Sequence, residues 1–525
     1  MNTIFKKGLP LFQKPLYLLL TTLCVSSCKN LGVTPQHERV TYKVTAKTER
    51  LSKFVASSKD AIAIIPGVSV AVVDENGPLF MKSIGYADME KETRVNDQTA
   101  FYIASCTKSF NGLLANLLEE EGILKLSENI TVYAPFKNFN DKTVFEEVTI
   151  MDLLSHQSGL SNPYLTFRLA YSGQYDASTI LSLIEDETVK SEEGKIFSYT
   201  NLGYYFLDAI MKAETGKSWK ELLEEKVLKP LEMDNTTAYM SALDKENYAF
   251  PHLGGHPDSI YRAPILKTDE TMHPAGGLVS NVEDVSKFLT IYINKGSHQG
   301  SQIFSQELIE RTYKKQVDTK NTIGNAFDAH GYGSGWLLGK HMNEDLVVHY
   351  GAYEGYRAHI SFIPEKKIGV VVFINHELAM QFINQIVKFT YHLYLDNEMD
   401  TFDQEAKINE ELTDLLHRYQ KYLGERKQKL SEAAWNLSRP KSDYTGVFTN
   451  ENLGTLEIKQ HQDKLVISCG NLKGNAIPHP DSDCTYVQLA SQSGESICFQ
   501  KKDNRITGLQ YRGEDFTKTT MVNER

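Results

Sequence analysis

The chain has 525 residues, 41% hydrophobic and 23% charged, a water-soluble globular composition with enough apolar material for two or three folded units. Its formal net charge is −11, and beyond the leader it carries no basic run. That excludes a nucleic-acid partner, because phosphate backbones select for clustered Lys and Arg.

Lys6, Lys7 and Lys14 precede an apolar stretch at residues 15–25, followed by Ser26, Ser27 and Cys28. A basic region, a short apolar stretch and small residues describe a secretory signal, here residues 1–28. The stretch is shorter than the roughly 20 residues that a spanning helix needs. Residues 29–50 follow as a polar tether. The β-branched run at residues 68–73, the turn-forming Asp74-Glu75-Asn76-Gly77 and a second run at 79–85 predict a hairpin. Over residues 109–124 Leu113, Leu114, Leu117 and Leu118 recur at helical spacing, which predicts a buried helix. Further helices are expected at 151–156, 202–215, 221–228 and 282–294. Strand texture returns at 346–348, 358–363 and 368–374, and an amphipathic helix at 380–395 closes the unit. Strands at both ends with helices between predict an α+β domain over residues 51–397, a mainly antiparallel sheet covered by helices. Residues 398–440, rich in Glu, Lys and Gln, predict a helical connector or a solvated extension of the preceding domain. Short alternating runs with Gly-bearing turns over 441–525 predict a small all-β, barrel-like domain.

Ser105-Cys106-Thr107-Lys108 opens the first buried helix. Helical positions three apart share a face, so the Lys108 amine sits beside the Ser105 hydroxyl. A serine hydroxyl needs such a neighbour to withdraw its proton. Two other Ser-x-x-Lys matches, at 26–29 and 438–441, lie in the leader and across Pro440, and neither can form a buried helical pair. Tyr199-Thr200-Asn201 precedes the helix expected at 202. A tyrosine beside a cationic lysine is expected to titrate below its ordinary value of about 10 and act as a base. Asn201 offers an amide to orient Lys108 or the substrate. His349-Tyr350-Gly351 ends a strand-like run, and the N–H of Ala352 is placed to donate to an oxyanion.

In this order the three motifs resemble the serine β-lactamase and penicillin-binding superfamily, whose signature joins Ser-x-x-Lys to two further motifs. They are most similar to the class C β-lactamase-like branch, in which Tyr-x-Asn is the second motif. Residues 153–160 and 274–280 also fit that branch, and the resemblance spans residues 66–395. The C-terminal unit looks like the lipocalin-like extension of some members. The resemblance implies acyl transfer to water without metal or organic cofactor. Ser105 is the nucleophile, Tyr199 with Lys108 moves the proton, and Asn201, His349, Gly351 and Ala352 make the substrate-binding and oxyanion set. Class C enzymes carry Lys-x-Gly where this chain has His349-x-Gly351, and histidine is mostly neutral at pH 7. The exchange points away from β-lactams, toward small amides, esters or D-amino-acid peptides. A class C-type β-lactamase, or a penicillin-binding sensor that acylates without turnover, are the alternatives, and oligomeric state stays open. Val25-Ser26-Ser27-Cys28 resembles the lipobox of bacterial lipoproteins. That implies a lipid anchor on Cys28, membrane attachment and a location in the bacterial cell envelope; an ordinary cleaved signal with an incidental cysteine is the alternative.

Four other features carry blander expectations. His156 reads as a structural hydrogen-bonding residue. His252 and His256 have the spacing of a helical metal pair, but Gly254, Gly255 and Pro257 argue against a helix there. The segment 331–336, Gly-Tyr-Gly-Ser-Gly-Trp, is expected to start a strand beside the site. A disulfide among Cys469, Cys484 and Cys498 suits an oxidising compartment, with the pairing left open.

Overall fold

A computed structural model describes residues 42–319, 327–395, 401–489 and 495–519. The leader, and with it Cys28, lies outside the described residues.

The tether expected to reach residue 50 gives way to helix α1 (Ala46–Ala61), which Thr45 opens with a capping box to Thr48. Leu51, Phe54, Val55 and Ser58 recur at helical spacing and bury one face. Strands β1 (Gly67–Asp74) and β2 (Gly77–Asp88) form the expected hairpin, with β3 (Thr93–Arg94) beyond it. Helices α2 (Thr107–Glu120), α3 (Leu202–Thr215) and α4 (Val282–Ile293) lie in the middle of the chain. Then come β4 (Asp328–Tyr332), β5 (Leu337–His341), β6 (Glu344–Tyr353), β7 (Tyr356–Ile363) and β8 (Ile368–Ile374). Helix α5 (Met380–Leu395) follows.

The sheet runs β4-β5-β6-β7-β8-β1-β2-β3 with every pair antiparallel. Both faces are covered, which explains why β1 and β8 read as unbroken apolar runs. Val68, Val70 and Val72 of β1 pack with α1 and α5, while Ala71 and Val73 face the side of α2 and α4. Phe54 stacks on Phe389 across one layer and Phe110 on Phe288 across the other, with ring centroids 3.9 and 3.7 Å apart. Each such side chain taken fully out of water contributes about 1.5–3 kcal/mol.

The 331–336 segment ends β4 and turns into β5, whereas a strand start was expected there. The turn packs on α2, where Ser109 Oγ donates to Gly335 O at 2.7 Å. Strand β5 pairs with β6 only over residues 344–348. Among the described residues, 349–353 of β6 therefore have no strand on that side, and this open edge faces the start of α2.

Helix α6 (Thr401–Glu432) occupies most of the connector. The C-terminal region is a closed eight-stranded barrel, β9 (Gly446–Asn450), β10 (Gly454–His461), β11 (Lys464–Cys469), β12 (Leu472–Pro478), β13 (Cys484–Val487), β14 (Glu495–Lys502), β15 (Arg505–Tyr511) and β16 (Glu514–Thr519). Phe448, Leu456, Ile467, Leu509 and Phe516 help fill its core. Cys484 and Cys498 oppose each other on β13 and β14 and are disulfide-bonded, while Cys469 is a buried free thiol. No helix among the described residues is long and apolar enough to cross a membrane.

Candidate active site

Ser105 lies in a single helical turn, Ala104–Cys106, between the short strand Phe101–Tyr102 and α2. Its entry is conformationally costly. Ile103 has φ −91°, ψ 0°, and Ala104 takes φ +45°, a left-handed conformation that a Cβ disfavours. Surrounding bonds hold it. Ile103 N–H donates to Leu278 O at 3.0 Å and Thr107 Oγ1 donates to Ala104 O at 2.7 Å. Leu278 N–H returns to Thr107 Oγ1 at 3.1 Å. Ser105 is half-buried while its neighbours are fully buried, so its side chain is the one in this turn that reaches solvent. The first N–H groups of a helical turn lack intrahelical acceptors, leaving that of Ser105 for an oxyanion.

Lys108, on the first turn of α2, is buried. Its Nζ lies 3.2 Å from Ser105 Oγ, 2.8 Å from Asn201 Oδ1 and 2.7 Å from Ala275 O. Among the described residues no carboxylate pairs with it, and burial drives its pKa well below the usual lysine range. Asn201 is placed by the start of α3, which follows it directly.

Tyr199 lies beside the Ser105 side chain, and its ring lies under Lys108, with Nζ 4.9 Å from the centroid. The phenol does not titrate low, as was expected beside a cation. Burial pushes it above its ordinary value, the neighbouring Ser105 hydroxyl only partly opposing this. The neighbour that should have supplied the charge is itself disfavoured as a cation. His156 brackets this tyrosine: its carbonyl accepts from Ser198 N–H at 2.8 Å and its Nδ1 from Thr200 N–H at 3.3 Å. Its ring packs on Tyr199 at 4.3 Å, a structural role in line with the expectation for it.

Gly351 lies where β6 meets the turn before Ser105. A Cβ there would stand 2.0 Å from Ile103 O, so only glycine allows the approach. Ala352 follows on the same open edge and is exposed. His349 sits behind the cleft wall, fully buried. Its Nδ1–H donates to Tyr350 O at 2.8 Å, and its Nε2 accepts from the Tyr332 hydroxyl at 3.0 Å. Burial lowers its pKa to about 3, so the ring is neutral and offers substrate neither a charge nor a free nitrogen.

The backbone oxygen of Ala275 and the Tyr332 hydroxyl were not singled out in the sequence. Ala275 acts through its carbonyl, which no residue type advertises, although the 274–280 stretch that carries it stood out. Tyr332 lies in the Gly-rich segment whose strand placement was misjudged. His252 is buried and engaged by Met89 N–H and Asn375, and His256 lies near Asp258, so the two do not converge. Among the described residues no group of three His, Cys, Asp or Glu could hold a metal ion.

Residues 56–383 match the family model described as Beta-lactamase. Protein flp of Staphylococcus aureus (strain MW2) is 26% identical over 325 residues, 62% of this chain and 62% of that protein. The chain thus spans about 62% of the length of this curated relative. The octameric penicillin-binding protein homologue from Pyrococcus abyssi superposes with a TM-score of 0.56 at 22% identity, covering 90% of this chain and 99% of that one. The D-amino acid amidase from Ochrobactrum anthropi SV3, complexed with D-phenylalanine, gives 0.56 at 22% identity over 66% of this chain and 100% of its own. With more than half its length matched, the chain belongs to the Beta-lactamase family, which includes serine hydrolases.

Proposed function

We propose that the protein is a serine hydrolase working through an acyl-enzyme on small amides, esters or D-amino-acid peptides. One observation carries the reading: a hydroxyl, an amine and a phenol from separate stretches of chain meet at Ser105, Lys108 and Tyr199. Burial favours the uncharged Lys108 amine. Its two N–H groups then donate to Asn201 Oδ1 and Ala275 O, leaving the lone pair for the Ser105 hydroxyl proton. Oγ bonds to the substrate carbonyl carbon, and the displaced electron pair settles on the oxygen between the N–H groups of Ser105 and Ala352. The proton passes from Lys108 through the Tyr199 hydroxyl to the leaving nitrogen or oxygen as its bond to carbon breaks. Water repeats the sequence on the acyl-enzyme, and its proton returns by the same route to free Oγ. Tyr199 serves as a relay, since burial disfavours a standing phenolate.

The neutral, fully engaged His349 favours acyl groups without a carboxylate over β-lactams. The amidase neighbour solved with D-phenylalanine supports the amide side of this reading. The test is a panel of D-alaninamide, p-nitrophenyl acetate and nitrocefin on wild type and Ser105→Ala. Amide or ester turnover that vanishes in the variant is expected. Rapid nitrocefin turnover would instead make the protein a β-lactamase, and a lasting adduct without product would make it a sensor.

We further propose, from the lipobox-like Val25-Ser26-Ser27-Cys28, that the protein is held in the bacterial envelope by a lipid on Cys28. Labelled palmitate should enter wild type and not Cys28→Ser; equal incorporation would remove the anchor from the account.

A further inference from the structure

Lys267 is a second lysine taken out of water, only 6% exposed. Its Nζ donates to Ala170 O at 2.6 Å. It also lies 3.9 Å from the ring centroid of Tyr353, 5.3 Å from that of Tyr102 and 5.7 Å from that of Tyr171. Two of these rings flank the reaction centre in sequence. Tyr353 directly follows Ala352, and Tyr102 directly precedes the strained Ile103-Ala104 entry to Ser105. The third, Tyr171, stacks on Tyr353 at 5.9 Å, and both rings are half-buried.

Ala170 and Tyr171 belong to the segment on which the C-terminal barrel is docked. Arg168 donates from Nε to Asn452 O at 2.8 Å and from Nη2 to Glu451 O at 2.6 Å. Gln174 exchanges two bonds with the backbone of Thr455, at 2.9 and 2.7 Å. Asn471 N–H donates to Ser172 O at 2.9 Å. Beside it, Gly470 has φ +56°, and a Cβ there would meet Ser172 O at 2.0 Å. Tyr171 and Tyr353 also pack against the barrel's apolar core. A continuous line of contacts thus runs from the barrel loops through residues 168–174 and Lys267 to Tyr353 and Tyr102, the sequence neighbours of Ala352 and of the turn that carries Ser105.

We propose that Lys267 is a positioning residue that ties the barrel-docked segment to the rings of Tyr353 and Tyr102. Through it the barrel is a fixed backing of the acyl pocket, beside Ala352, and not an independent binding module. This rests on the hydrolase reading above.

The test uses the full chain and two esters, p-nitrophenyl acetate and p-nitrophenyl hexanoate. Lys267→Met keeps the aliphatic stem and removes the donor. It should lower kcat/KM for both esters, at least tenfold more for the hexanoate and mainly through KM. A general loosening of the fold would lower both alike. Arg168→Gln, remote from the reacting atoms, should shift the ratio of the two esters in the same direction. The double variant should add little to the larger single effect, because both changes cut one line of contacts. If Lys267→Met fails to fold by circular dichroism, the ratio in Arg168→Gln decides. An unchanged ratio in the folded variants, or fully multiplicative effects in the double variant, overturns the proposal while leaving the hydrolase reading intact. A wild type inactive on both esters and unlabelled at Ser105 by a fluorophosphonate overturns that reading and this inference with it.

Discussion

The Tyr332 hydroxyl lies 3.0 Å from Nε2 of His349, whose Nδ1 is taken by Tyr350 O at 2.8 Å. Both nitrogens are spent inside the protein, where class C-like relatives are expected to present a lysine charge. A substrate carboxylate therefore gains nothing from this position. KM for a carboxylate-bearing ester should lie within about threefold of that for its methylated analogue, less than 1 kcal/mol of discrimination. A tenfold preference for the carboxylate would show a cation that the account lacks.

In the proposed mechanism, proton movement depends on Lys108 and Tyr199 together. Lys108→Met and Tyr199→Phe should each lower kcat by about 10²–10⁴-fold, the usual span for losing a positioned acid–base group. Steady-state ester hydrolysis measures this, and a loss under threefold in either variant would remove that residue from the proton path.

The pH profile follows from the direction in which burial moves Lys108. Its pKa lies well below the ordinary lysine value of 10.5, and in the proposed mechanism the uncharged amine is the active form. Activity should fall as pH drops through that lowered value and the amine gains a proton. The acid limb of kcat/KM should therefore stand well below 10.5. Tyr199, raised by burial, adds no alkaline loss below its ordinary value of 10. A kcat/KM profile still climbing steeply near 10.5 would contradict the uncharged amine.

Gly351→Ala tests the approach of β6 to the nucleophile turn. The added Cβ would meet Ile103 O at 2.0 Å, and the strand carrying Ala352 must move away. A displacement of about 1 Å at a reacting centre costs on the order of 10²-fold in rate. We expect that loss in kcat with a near-native circular dichroism spectrum; unimpaired turnover would show that the oxyanion does not lie there.

Acid should weaken the fold through its buried neutral histidines. His349, His359 and His376 are held at about 3, and His252 and His341 at about 4, in each case chiefly by burial. These folded values lie below the unfolded value of about 6.5, so the unfolded chain takes up protons first as pH falls. Stability is then full above about 6.5 and declines below it, by about 1.4 kcal/mol per such histidine at pH 5.5. Asp208, raised by burial to about 6, works in the opposite direction. The net effect should lower Tm by roughly 5 °C between pH 7.5 and 5.5 for a chain of this size. A flat Tm over that range would mean that these rings are not held neutral.

Much of this was legible where residue type and spacing report directly on burial. Leu113, Leu114, Leu117 and Leu118 announced α2, and Asp74-Glu75-Asn76-Gly77 announced the turn between β1 and β2. Ser105, Lys108, Tyr199 and Asn201 lie together, as their motif context implied. Protonation was not legible, because the charges of Lys108 and Tyr199 depend on how completely the fold strips water from them. The barrel contact was hidden for another reason: Arg168 binds the carbonyls of Glu451 and Asn452, and a backbone oxygen has no sequence signature. Disulfide choice needed the register that sets Cys484 opposite Cys498 and leaves Cys469 on β11.

The most direct measurement is peptide mass spectrometry after timed exposure of wild type and Lys108→Met to a fluorophosphonate. The account predicts a single adduct on Ser105 of the wild type, formed at least about 10²-fold more slowly once the amine is gone. An adduct on another residue, or equal labelling rates in the two proteins, would contradict it.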